Sequence, residues 1–228
     1  MKVFTTIISC LLFINLFAQE DLPSNYSYYN DLLYGVVYEP VNYNSIGHPF
    51  YLKDKIYQAN LHFDGNTYKN VSLKYDLYNQ KIVLYQDYNS SKYRFIELNI
   101  NLVDSFELID ENSNVHYFLP QSAFKNLNSN IKFVELIYKN KICYIVGRKK
   151  TFTELAQELK NKFYEKNSNY IIIHNNLILI DSKGDILNVF EDHKKDIKRF
   201  IRRNKIKIKE IKSTDLLRII KYYESLMN

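Results

Sequence analysis

The chain has no tryptophan, and residues that bend or staple a backbone are scarce: five glycines, four prolines and two cysteines in 228 residues. So little Gly and Pro excludes a collagen-like or low-complexity disordered chain. Two cysteines exclude a disulfide-framed miniature domain. Metal-ligand spacing is missing as well. The five histidines, His48, His62, His116, His174 and His193, form no His-x-His, His-Glu-x-x-His or Cys/His set. There is no Gly-x-Ser-x-Gly, no glycine-rich phosphate loop and no Ser-x-x-Lys. Beyond the N-terminus, no apolar run approaches the length of a membrane-spanning helix. Site residues are therefore assigned as none for catalysis, none for cofactors and none for metals.

What is present is an ordinary globular balance, 46% hydrophobic and 25% charged, with a net charge of +6. That composition supplies a real core. The bias toward Tyr, Asn, Lys and Ile matches codon usage in an AT-rich genome, so the 21 tyrosines do not by themselves indicate a binding surface. The most specific signal is at the start. Lys2 precedes the mostly apolar Val3–Phe17, and Leu16-Phe17-Ala18 runs into the polar Gln19-Glu20-Asp21. This predicts a secretory signal peptide over 1–18, cleaved between Ala18 and Gln19. The alternatives are an uncleaved anchor, or a lipoprotein modified at Cys10 in the lipobox-like Ile7-Ile8-Ser9-Cys10. Cleavage removes Cys10 and Lys2. The product would be periplasmic or secreted, with a charge of +5 and Cys143 as its sole thiol, read as buried and inert.

Residues 19–49 form a lead-in segment. The stretch Ala59–Gln86 is the one around which the rest of the chain is organised. Asp64-Gly65-Asn66 sits between alternating apolar residues, a hairpin signal because Gly accepts positive φ. Val71, Leu73 and Tyr75 share one face of a strand, opposite Asn70, Ser72 and Lys74. Asp76–Gln80 breaks the pattern and Ile82–Tyr85 resumes it. Further strands are predicted over Tyr93–Leu98, Val103–Ile109 and Val115–Leu119. A hairpin joins Ile131–Tyr138 to Lys141–Gly147. Residues 50–147 thus predict an antiparallel β-meander, a small barrel or sandwich. For 148–228 the expectation is an α/β region packed on it. A helix is predicted over Thr151–Lys166 from Leu155, Leu159 and Phe163 at a spacing of four. A hairpin comes next, over Tyr170–Ile180. A long helix runs from Ser182 to Arg203, with an apolar stripe of Ile186, Phe190, Ile197, Phe200 and Ile201. The last helix spans Asp215–Leu226, capped by Ser213 or Thr214. The fold class is α+β.

The order of signal peptide, "DGNTYKNVSLKYDLYNQKIVLY", the Val103–Phe106 strand, "FVELIYKNKICYIVGRKK" and the lysine-rich "DIKRFIRRNKIKI…LLRIIKYYESL" resembles uncharacterised exported proteins of Bacteroidota. The resemblance implies export, a β-rich core and a lysine-rich helical C-terminus. It implies no activity and no site residues.

Several constellations are candidates for chemistry. His62 and His116 lie on predicted strands and could meet. Asp76 with Asp87, or Asp104 with Glu107, could form a carboxylate pair. The tyrosines Tyr26, Tyr28, Tyr29, Tyr34, Tyr38 and Tyr43 could make a sugar-stacking platform. Lys194–Lys212 holds ten Lys or Arg against Asp196 and Glu210. That tract could meet an anionic membrane or lipopolysaccharide. Export argues against nucleic acid. The expectation is an exported, non-enzymatic envelope protein acting by protein or surface contacts. The alternatives are a glycan-binding module and, further off, a hydrolase with dispersed site residues.

Overall fold

The computed structural model describes residues 32, 35–39, 45–87, 93–127, 130–155, 160–209 and 211–227. The predicted signal peptide and most of the lead-in segment lie outside the described residues. Gly35–Asn228 forms one compact unit.

Among the described residues its frame is an open, antiparallel sheet of eleven strands. In chain order they are β1 (Val36–Val37), β3 (Tyr57–Phe63), β4 (Asn66–Asp76), β5 (Lys81–Asp87), β6 (Tyr93–Glu97), β7 (Val103–Ile109), β8 (Val115–Pro120), β9 (Phe133–Lys139), β10 (Cys143–Gly147), β13 (Ser168–Ile173) and β14 (Asn176–Ile180). The order across the sheet is β1-β6-β5-β4-β3-β7-β8-β9-β10-β13-β14. The α+β class stands, and the predicted meander is one open sheet. Strands from both sides of residue 147 belong to it.

Local chemistry explains the hairpins. Phe63 pairs with Asn66, so Asp64 and Gly65 alone make the turn, with φ of 49° and 74°. Two residues at positive φ match the twist of the flanking strands. His174 and Asn175 repeat this geometry between β13 and β14. Val71, Leu73 and Tyr75 are buried, as their alternation predicts.

The helix expected over Thr151–Lys166 is absent. Lys150–Leu155 (β11) and Lys160–Glu165 (β12) are antiparallel strands instead, with the short β2 (Ser45–Ile46) parallel to β12. Their register continues that of β10 and β13: Gly147 faces Ser168 and Lys150 faces Glu165. The ladder thus runs on past a break at residues 148–149 and 166–167. Phe152 and Phe163 lie directly opposite, with centroids 5.0 Å apart. A cross-strand aromatic pair and the β-branched Thr151 and Thr153 outweigh the helical spacing.

The long C-terminal helix is also broken. Lys183–Val189 (α1) starts with a capping box from Ser182 and Asp185. It stops at Phe190 (φ −111°, ψ 44°), and Lys194–Arg203 (α2) resumes after a 3-10 turn. The final helix, Ser213–Leu226 (α3), begins at Lys212 without a side-chain cap, so neither Ser213 nor Thr214 plays that role. The helices cover one face of β10, β13 and β14. Tyr144, Val146, Ile171 and Ile173 pack there against Ile186, Phe190, Ile197, Ile201, Leu216, Ile219 and Ile220. The opposite face of those strands packs Ile145 and Tyr170 against Leu127 and Ile131. Cys143 lies half-buried on that side. Buried Glu224 ties α3 down, accepting from the Tyr138 hydroxyl (2.6 Å) and the Ile142 N–H (3.0 Å).

Candidate functional site

Strand alternation brings three charged side chains to the helix-covered face. On β8, His116 shares a face with Phe118. On β9, Glu135 lies between Phe133 and Ile137. Arg148 continues the Tyr144, Val146 row just past β10. Register completes the group: Glu135 faces both Phe118 and Val146. His116 and Arg148 are its diagonal neighbours, within reach of long side chains. Tyr51 arrives from the segment before β3, which is tied to the end of β4 by Tyr51 N–H donating to the Tyr75 carbonyl. Its ring meets His116 and Phe118 edge-on.

Glu135 is 4% exposed, and donors occupy both of its oxygens. The Tyr51 hydroxyl and His116 Nδ1 each reach Oε1 at 2.8 Å. Arg148 sets Nε and a terminal nitrogen on Oε2, both at 2.6 Å. Tyr51 Oη and His116 Nδ1 are also 2.8 Å apart. His116 Nε2 faces Asp110 Oδ2 at 3.4 Å. Asp110 in turn accepts from the backbone N–H groups of Asn112 and Asn114 and from the Asn114 amide.

These contacts set the protonation states. Burial pushes the Glu135 carboxyl up, but His116, Arg148 and Tyr51 outweigh it and hold the group below its ordinary value. The hydrogen bond to Glu135, then the charges of Glu135 and Asp110, raise His116 against the opposing effect of burial. Asp110 is held well below the usual carboxylate range, first by the Asn114 side chain. Burial and then the Glu135 charge raise the Tyr51 phenol, which stays a donor. Within the cluster, Glu135 and Asp110 face Arg148 and a His116 that favours its protonated form.

The group opens onto a cavity of about 300 Å³, at the small end of ligand-sized pockets. Glu135, Arg148 and Ile137 line it from the sheet, Glu165 from β12, Tyr51 and Leu52 from the loop, and Ser213, Thr214 and Leu217 from the start of α3. The Tyr144 hydroxyl, bonded to Asn169 Oδ1 at 2.6 Å, also reaches Ser213. Burial pushes that phenol up to about 12. A second hollow, about 430 Å³, is lined by Gln121, Ser122, Phe124, Asn126 and Leu127 and holds no titratable group.

The other constellations stay apart. His62 faces Ser105 and His116 faces Leu108, on opposite faces of β7. His62 instead contacts Thr67. Asp76 and Asp87 lie at opposite ends of the β4–β5 hairpin. Asp104 accepts from the Gly65 N–H, and Glu107 accepts from Asn60. Tyr38 is buried and donates to Asp76; Tyr26, Tyr28, Tyr29, Tyr34 and Tyr43 lie outside the described residues. Among the described residues no cluster of three His, Cys, Asp or Glu is arranged to hold a metal, and no helix is long and apolar enough to cross a membrane. Sequence reasoning singles out neither Glu135 nor Arg148. The available signal is one carboxylate inside Phe133-Val134-Glu135-Leu136-Ile137, at an inward position of a strand. Comparison with protein-family models, curated proteins and solved structures found no match.

Proposed function

We propose that this is an exported, non-enzymatic protein of the cell envelope that acts by contact, with the cavity beside Glu135 as its recognition site. The saturation of Glu135 carries the reading. A carboxylate whose two oxygens already accept from Tyr51, His116 and Arg148 has no lone pair left for a base or nucleophile. Hydrolytic carboxylate pairs need one member raised and one low. Glu135 and Asp110 are both held low. Glu135, Arg148 and His116 spend their charges on one another, which favours a polar ligand or partner group held by hydroxyls. The hydroxyls of Ser213 and Thr214 would bind it, and Leu52, Leu77 and Leu217 would pack on it. Export rests on Lys2 and the apolar Val3–Phe17, and on the resemblance to exported proteins.

The test places a photo-reactive side chain at Leu52, 37% exposed at the cavity, in the native host. The expected result is one discrete adduct in the envelope fraction, on a chain whose mass fits Gln19–Asn228. Filling the cavity with Thr214→Trp should abolish the adduct. Retention in the cytoplasm sinks the export part. Turnover of a substrate, lost in His116→Gln, sinks the non-enzymatic part.

A further inference from the structure

The cations of Lys194–Lys212 are arranged on the surface in a way the fold does not require. All ten are exposed. Six sit on α2 in two rows at a spacing of four: Lys194, Lys198 and Arg202, then Lys195, Arg199 and Arg203. At about 100° per residue these rows cover one half of the helix cylinder. The other half holds Ile197 and Ile201, both buried. Past the helix, Lys205, Lys207 and Lys209 alternate with buried Ile206 and half-buried Ile208, extending the ridge.

A solvated helix face is stabilised by mixing signs, and like charges four apart destabilise it. Here the rows are of one sign, and among the described residues only Arg199 on this ridge has a carboxylate partner, Asp196 at 3.3 Å. Lys194 and Lys195 also occupy the first turn, where the helix dipole disfavours cations. The buried isoleucines hold α2 in place against its own charges.

We infer that this ridge is a peripheral docking surface for an anionic phospholipid bilayer. Charge complementarity carries the proposal, and the packing fixes the mode. An amphipathic helix normally enters a membrane by its apolar face. That face is already occupied, since Ile197, Ile201 and Ile206 belong to one core with Phe190, Leu216 and Tyr223. Contact is therefore electrostatic, without insertion. Nucleic acid is the less favoured occupant, because the export read from Lys2 and the apolar Val3–Phe17 takes the chain away from it. The nearby rings of Phe200 and Tyr222 stack on each other at 4.3 Å, so they offer no platform for bases. The inference is independent of the cavity beside Glu135.

The experiment is co-sedimentation of the mature chain with vesicles of phosphatidylcholine alone, or with about one third phosphatidylglycerol, in about 0.15 M salt. Binding is expected to the anionic vesicles only, and to vanish near 1 M salt. Each neutralised cation should weaken it roughly fivefold. The combined variant Lys198→Gln, Arg199→Gln, Arg202→Gln, Arg203→Gln should lose binding by at least about a hundredfold. It should also melt no lower than the wild type, which separates loss of contact from loss of fold. Exposed Lys125, Lys132 and Lys139, changed together to Gln, should leave binding intact. Equal binding to both vesicle types, or retained binding in the fourfold variant, overturns the proposal. So does tighter binding to duplex DNA at the same salt, or binding to lipopolysaccharide without binding to the phospholipid.

Discussion

Two buried polar sites lie within one connected part of the sheet, and they are built on opposite principles. At the turn after β4, Asp76 is 0% exposed. It accepts from the Tyr38 hydroxyl, the N–H groups of Tyr78 and Asn79, and the Asn79 amide, at 2.8–2.9 Å. Gln80, next to it, is equally complete. Its oxygen accepts from the Tyr75 hydroxyl and the Lys132 N–H, and its nitrogen donates to the carbonyls of Leu77 and Arg148. Every donor there is a neutral dipole. Glu135, by contrast, is held by an arginine, a histidine and a phenol, and its neighbours face a cavity. Dipole donors alone can satisfy a buried carboxyl group, with no partner cation to desolvate. Buried ion pairs seldom add net stability over apolar replacements. The first site thus maintains the fold, and the second needs a reason beyond it. Gln80 links them, since its bond to the Arg148 carbonyl fixes the backbone that presents the guanidinium.

Substitutions can break this comparison. Glu135→Leu strands Arg148 and His116 without their anion and should cost about 3–5 kcal/mol in chemical denaturation. Adding Arg148→Met should recover most of that loss. If the double variant stays as unstable as the single one, Glu135 is a structural keystone like Asp76, and the contrast fails. Asp76→Asn puts an NH₂ where two donors converge and should cost about 2–3 kcal/mol. No apolar partner substitution should rescue it.

A smaller effect sharpens the contrast through pH. The folded His116 titrates above its ordinary 6.5, so its contribution is complete below pH 6.5 and is lost as pH rises through the folded value. Glu135 is held below its ordinary 4.5, so its contribution is complete above pH 4.5 and is lost as pH falls through the folded value. The groups around His116 are Glu135, Asp110, Tyr51 and Arg148. Their balance predicts greatest stability between about pH 4.5 and 6.5, declining into the alkaline range. Urea midpoints measured across that range should show the decline in the wild type and a flatter limb in His116→Gln. An unchanged limb would assign the titration to another group.

Much of the sheet is legible in the sequence because its signals are local. Asp64-Gly65 fixes one hairpin, and the alternation of Val71, Leu73 and Tyr75 fixes the buried face. The strand Val103–Ile109 is read with its observed bounds. The errors arise where a distant partner decides the outcome. Leu155, Leu159 and Phe163 have helical spacing, but β10 and β13 arrive already paired and carry their register into 150–165. The helix from Ser182 breaks at Phe190, where that ring turns into the core beside Tyr223, 4.3 Å away. The candidate site is less legible. His116, Glu135 and Arg148 are far apart in the chain, and they meet only because β8, β9 and β10 align in one register. Of the three, only His116 stands out in the sequence, and there as a partner for the wrong histidine.

The position of β3 between β4 and β7 has a kinetic consequence. To one side the strands run β4, β5, β6; to the other they run β7, β8, β9, β10. Each series is a chain of neighbours that can zip locally. The two meet only when Ala59 finds Leu108 and Leu61 finds Phe106. That closure spans the whole β4–β6 excursion, the longest separation between paired strands of this sheet other than the two-residue β1, so it carries the largest loop entropy among the longer strands. We expect it to limit the folding rate. Conservative truncations at Leu61 and Leu108 should then slow folding more than they speed unfolding, and the reverse pattern would place the barrier elsewhere. The strand that anchors the finished sheet would then also be the one whose second neighbour arrives last.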